Sequence, residues 1–184
     1  MHKEIIEEIE IPEGVEITIE GSLFKVKGKK GELDRNFQVA NVKIDKKNNV
    51  LEIIAKKATK REKKMIYTVV AHIKNMIKGV KEGYKYKLQI ASLHFPMNVR
   101  FDKEKNVVEI KNFLGETKER LAKIFPGVEV KIEKEFITLE GIDKEKVGQS
   151  AANIETASKV RNKDKRIFQD GIWIIEKNDK NLLE

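Results

Sequence analysis

The 184-residue chain has no cysteine, so disulfides, thiolate catalysis and cysteine-ligated zinc are excluded on chemical grounds. The reducing cytoplasm is the natural setting for such a composition. No run approaches the roughly 18 apolar residues of a membrane span. The opening Met1-His-Lys-Glu-Ile-Ile-Glu-Glu8 lacks the basic and apolar regions of a signal peptide, which predicts a soluble protein that is not exported. Histidine is scarce. His2 is terminal, His72 lies beside the apolar stripe of a helix and His94 adjoins Phe95-Pro96, so the three form no acid–base or metal cluster. Neither a phosphate-binding loop nor a dinucleotide fingerprint occurs. These absences predict a protein that is not an enzyme and has no cofactor, metal or small-molecule substrate.

Charge is abundant: 38 Lys and Arg stand against 30 Asp and Glu, a formal net charge of +8. Hydrophobic residues make up 40% of the chain, which is too apolar for a disordered tail. The basic balance points to a polyanionic partner, nucleic acid or an anionic membrane surface. No predicted helix combines a Lys-rich face with exposed Trp or Phe, which argues against the membrane.

Apolar and charged residues alternate through the first fifty positions. Ile17 and Ile19, then Leu23, Phe24 and Val26, then the stretch from Leu33 to Val39 predict strands, with Gly28-Lys29-Lys30-Gly31 as a turn. Val42 and Ile44 lead through Lys46-Lys47-Asn48-Asn49 to Val50, Leu51 and Ile53, a second hairpin whose Asn pair tolerates positive φ. The period then changes. Thr59 is a helix N-cap, and Met65, Ile66, Val69, Val70, Ile73, Met76, Ile77 and Val80 repeat at helical spacing until Gly79 and Gly83 end the run.

The same order recurs after Tyr84. Phe24-Lys-Val-Lys-Gly-Lys-Lys-Gly31-Glu32 echoes Val108-Glu-Ile-Lys-Asn-Phe-Leu-Gly115-Glu116, and Val128 to Leu139 gives a second hairpin before a helix from Asp143 to about Val160. A duplicated domain is the simplest account. The expected fold is therefore α+β, with two similar tandem domains, each a small, mainly antiparallel sheet carrying one packed helix. The domains run over 1–82 and 83–176, with a tail at 177–184. The second helix carries Gly148, Ser150, Ala151, Ala152, Ala157 and Ser158, so its backbone allows a close neighbour, the sheet of its own domain for the Ala face. Gln149, Asn153, Thr156 and Lys159 face elsewhere.

Two basic clusters stand out. Lys56, Lys57, Lys60, Arg61, Lys63 and Lys64 crowd the start of the first helix against Glu62 alone. Cations there oppose the helix dipole, so the cluster is either a phosphate site or an ordinary solvated face. The second is Lys159-Val-Arg161-Asn-Lys163-Asp-Lys165-Arg166, five bases within eight residues. With Phe168 and Trp173 beyond it, this segment reads as an extended arm whose bases neutralise phosphates in preference to forming a solvated loop, and whose aromatics anchor it in preference to stacking on a base. Gly28-Lys-Lys-Gly31 resembles the clamp of KH domains but joins two strands, which favours a hairpin turn with exposed lysines and leaves RNA contact through it open.

Gly148-Gln-Ser-Ala-Ala-Asn-Ile-Glu-Thr-Ala-Ser158 and the following Lys159 to Trp173 resemble the large-subunit ribosomal protein of the universal "L six" family, in its archaeal or eukaryotic form. The resemblance spans nearly the whole chain, from Glu10-Ile-Pro-Glu-Gly14 onward. The bacterial pattern of prolines and a Tyr-Lys-Gly-Lys-Gly ending is replaced here by Arg161-Asn162-Lys163-Asp164 and Gln169-Asp170-Gly171. The resemblance implies a ribosome constituent that binds large-subunit ribosomal RNA chiefly through the C-terminal domain, near the factor-binding region, beside neighbouring ribosomal proteins. Carried over by position, Gly148, Gln149, Asn153, Lys159, Arg161, Lys163, Lys165, Arg166 and Gly171 are its RNA-contact candidates. Lys60, Arg61, Lys63 and Lys64 join them on charge. The alternatives are an RNA-binding protein outside the ribosome or a protein-interaction module built on the acidic N-terminal strand, with Glu4, Glu7, Glu8, Glu10 and Glu13.

Overall fold

Side chains of alternate strand residues point to opposite faces, so the period-two runs bury one face and charge the other. The computed structural model describes residues 3–37, 43–47, 49–178 and 180–182. Val39, Val42, Asn48 and His2 lie outside the described residues, as do the side chains of Glu4, Lys56 and Lys57. The chain divides into two units, Met1–Gly83 and Tyr84–Glu184.

In the first unit, strands β1 (Lys3–Glu10), β2 (Glu16–Glu20), β3 (Leu23–Gly28), β4 (Gly31–Asn36), β5 (Lys43–Lys47) and β6 (Val50–Ala58) precede helix α1 (Lys60–Lys81). In the second, β7 (Tyr84–Ala91), β8 (Asn98–Asp102), β9 (Val107–Lys111), β10 (Arg120–Lys123), β11 (Glu129–Glu133) and β12 (Phe136–Gly141) precede α2 (Lys144–Ala157). Strands β13 (Gly171–Lys177) and β14 (Lys180–Asn181) follow. Apart from those last two and a 3-10 turn at Phe113–Gly115, the element order is the same among the described residues. Each unit pairs its second, third and fourth strands into one antiparallel sheet, and its first, sixth and fifth into another. The fold is α+β, with two tandem units.

The helix caps keep the duplication's register. Thr59 and Asp143 cap α1 and α2, and the interval between them (143 − 59 = 84) equals that between Gly31 and Gly115 (115 − 31 = 84). Each unit has its own core. Phe24, Leu51, Ile53, Ile66 and Ile73 fill the first, and Leu88, Ile110, Phe113, Ile137, Leu139 and Ile154 the second. The Gly-Lys-Lys-Gly turn is a hairpin tip docked on α1. A Cβ on Gly28 would lie 2.8 Å from Val80 Cγ2, and Lys30 N–H donates to the Val80 carbonyl at 2.9 Å.

Several boundaries differ from the sequence reading. Gly79 does not end the first helix; it is buried within α1, and Gly83, at φ +79°, makes the exit. Helix α2 stops at Ala157, where the Ser158 N–H donates to the carbonyl of Ile154. The basic arm is irregular only as far as Asp170. From Gly171 the chain becomes β13, paired antiparallel to β7, with Ile172 buried. The basic run before this strand masked its short alternation. In the tail, β14 folds back on β13, and Asn178, at φ +55°, makes the turn.

Candidate nucleic-acid interface

The arm of residues 158–170 leaves the end of α2 and returns as β13, and polar contacts fix it at both ends. At its start, the Ser158 hydroxyl accepts from Ile172 N–H at 2.9 Å and donates to the Glu155 carbonyl at 3.1 Å. Arg120 sits beneath. One guanidinium nitrogen donates to the carbonyls of Ala157 and Lys159, at 2.9 and 3.0 Å, while the rest of the fork grips Glu116 at 2.8 and 2.7 Å. Its carbon lies 4.1 Å from the centroid of the buried Phe113 ring. A planar fork suits this double role, which a lysine does not reproduce.

At the distal end Asp170, only 1% exposed, holds the loop after β7. Its carboxylate accepts from the backbone N–H groups of Leu93 and His94 at 2.8 and 2.9 Å, and its second oxygen lies 2.6 Å from His94 Nδ1. The His94 ring stacks on Phe168 at 4.8 Å, and Lys163 Nζ lies 4.6 Å from the Phe168 centroid. Phe168 is thus the anchor the sequence reading favoured. Trp173 is not one: it stands 47% exposed on β13.

Three carboxylates hold this segment, and the pKa of each is lowered. For Asp170, burial is the largest influence and opposes ionisation, but the N–H donors and ring of His94, with Leu93, outweigh it. Hydrogen bonding from Arg120 lowers Glu116, and hydrogen bonding from Arg166 lowers Asp164. Arg166 is therefore partly neutralised by its ion pair with Asp164 at 3.0 Å. Lys159, Arg161, Lys163 and Lys165 are exposed, and among the described residues no carboxylate lies within ion-pair distance of them.

The other candidates take varied positions. Asn153 donates to the Lys123 carbonyl at 2.8 Å and accepts from Gln149 at 3.0 Å, so this pair straps α2 to β10. Gly148 faces the sheet of its own unit, where an added Cβ would meet the Tyr86 hydroxyl at 3.4 Å. Gly171 is buried, and a Cβ there would lie 3.2 Å from three indole atoms of Trp173. Lys60, Arg61, Lys63 and Lys64 are exposed on the first turns of α1. Their repulsion with the dipole is already eased by a capping box, because the Glu62 carboxylate accepts from the Thr59 N–H at 3.0 Å and from its hydroxyl. The Thr59 bond lowers the Glu62 pKa. Sequence reasoning missed Arg120, Glu116 and the Asp170–His94 clamp. The only local signal was Asp170 beside Gly171, since the clamp's partners are 76 residues apart.

The family model of ribosomal protein L6 matches residues 11–83 and 95–171, covering both units and the arm. The chain belongs to the ribosomal protein L6 family. It is 48% identical over 174 residues to large ribosomal subunit protein uL6 of Staphylothermus marinus, covering 94% of each chain. The protein of the same name from Sulfurisphaera tokodaii is 46% identical over 174 residues, 94% of this chain and 92% of the relative. That from Aeropyrum pernix is 45% identical over 176 residues, 94% of each. These relatives agree with the archaeal or eukaryotic form inferred from the arm. As an L6 family member the chain is a structural, non-enzymatic component of the cytoplasmic ribosome. No helix among the described residues is long and apolar enough to cross a membrane.

Proposed function

We propose that this L6 family chain binds large-subunit ribosomal RNA through the arm of its second unit and supports translation near the factor-binding region. The observation that carries this reading is the set of four exposed cations, Lys159, Arg161, Lys163 and Lys165, on a segment tied at both ends. Among the described residues no carboxylate lies within ion-pair distance of them, Lys163 being engaged by the Phe168 ring and the field of Glu116. Prior fixation lowers the ordering cost of binding, so charge on a clamped loop gives more affinity than charge on a free tail. The contacts are to phosphates and RNA shape rather than to a base sequence, because irregular backbone and point charges read no base edge. The 83–176 domain is the RNA-binding one. Lys60, Arg61, Lys63 and Lys64 supply a second, weaker phosphate contact from the 1–82 domain.

Neighbouring ribosomal proteins are the other partners. Among the described residues β1 pairs with β6 alone, and Glu8 and Glu10 are exposed along it, which supports contact with a basic segment there. A crosslinking map on the purified large subunit tests the reading. RNA crosslinks are expected within 159–166, with fewer within 60–64, and a map with none in the arm would refute it.

A further inference from the structure

The second unit contains a cleft of about 630 Å³ between the end of α2, the arm and β13. Its volume falls in the range of about 300–1,000 Å³ typical of small-ligand sites. Val160 and Ile172 give it a buried apolar floor, with Ala91 beside them. Trp173 forms one wall. The indole lies against Gly171, where any Cβ would come within 3.2 Å of it, so glycine lets the ring lie close to the strand with nearly half its surface open. Lys159 and Lys165 line the cleft, and among the described residues neither has a carboxylate within ion-pair distance. Glu155, Thr156 and Gln169 add a carboxylate, a hydroxyl and an amide to its lining.

We infer that this cleft receives one unpaired nucleobase of a single-stranded RNA segment, stacked on Trp173, with Lys159 and Lys165 on its flanking phosphates. The inference rests on the arm binding RNA and names what its cleft takes. Paired bases are already stacked inside a helix and expose only edges, so an aromatic face in an apolar recess fits only a base turned out of the stack. The two cations outnumber the one carboxylate of the lining, Glu155, and fit the polyanionic strand that carries the base. Thr156 and Gln169 satisfy part of its polar edge, as a buried polar group requires.

The protein carries its own probe, because Trp173 is its only tryptophan. The intact chain is titrated at low salt with a fluorescently labelled oligoadenylate and with an abasic ribose-phosphate strand of equal length, reading label anisotropy and Trp173 emission together. Oligoadenylate should bind roughly 10-fold more tightly than the abasic strand and quench Trp173. Trp173→Ala should remove that advantage, and Trp173→Phe should keep part of it, with thermal transitions confirming that both fold. Equal affinity for the two strands with unchanged emission would overturn the cleft assignment and leave phosphate binding by the arm standing. Such a result would give the cleft to an apolar side chain of a protein neighbour. Failure of both strands to bind would overturn the arm reading along with it.

Discussion

The two units share one plan and differ at one edge. Among the described residues β1 is the outer strand of its sheet in the first unit, whereas in the second the corresponding strand, β7, is covered by β13. An open edge exposes unpaired backbone groups and is commonly guarded by charge, and Glu8 and Glu10 serve that purpose on β1. In the second unit the chain itself closes the edge, and the loop needed to return there is the basic arm. The second copy of the fold thus carries a charged loop that the first lacks, and its extra strand fixes the far end of that loop. The helices differ in the same sense. Helix α1 has a long, buried apolar stripe, while α2 is shorter and ends in Ser158 and Arg120 contacts that start the arm.

If β13 is what distinguishes the second unit, weakening it should have the largest effect. Ile172, 1% exposed, has no counterpart in the first unit, and Ile172→Ala should cost about 3 kcal/mol. Denaturant unfolding followed by Trp173 emission reports this unit alone. A loss below about 1 kcal/mol would make the strand an appendage rather than part of the core. Next comes the clamp. Asp170→Asn should cost about 2 kcal/mol by weakening charge-assisted bonds to Leu93 and His94. The sign of its pH dependence follows from the lowered pKa: the ionised form is favoured in the fold. Asp170 therefore stabilises fully above the ordinary value of 3.8, and the contribution is lost as pH falls through the lowered one. Acid titration of the melting temperature should accordingly be shallower in Asp170→Asn than in the parent.

The first unit should respond less. Thr59→Ala removes the α1 capping box and should cost about 1 kcal/mol, measured by circular dichroism melting. Smallest of all, Lys159→Ala, Arg161→Ala and Lys165→Ala together should change stability by less than about 0.5 kcal/mol, because these side chains are exposed and, among the described residues, no carboxylate lies within ion-pair distance of them. A large loss from the triple variant would make the arm's charges structural and erase the distinction between frame and contact surface.

Local rules carried much of this fold. Alternation at Ile17 to Val26 and at Val128 to Leu139 marks hairpins, and Thr59 with Glu62 three residues later marks a helix start, because those signals act over a few residues. Strand β13 escaped because Ile172 and Ile174 follow a charged, irregular run and pair with β7, some eighty residues earlier. The site was legible as a cluster of charge and not as geometry. Lys159 to Arg166 announce a basic arm, yet which bases remain available depends on Asp164, which pairs with Arg166, and on Phe168, whose ring engages Lys163. Gly171 is accounted for by the close approach of Trp173, two residues along a strand the sequence reading missed, whereas a Cβ at Gly148 would meet the Tyr86 hydroxyl at 3.4 Å, an ordinary contact across to a distant strand.

The salt dependence of binding to purified large-subunit ribosomal RNA tests most directly whether the clamped arm is a phosphate-contacting surface. Each phosphate contact contributes about 0.7–0.9 to the slope of log affinity against log salt. The Lys159, Arg161 and Lys165 triple variant should therefore show a slope shallower by about 2–3, with its melting temperature unchanged. An unaltered slope and affinity in a folded triple variant would contradict the account.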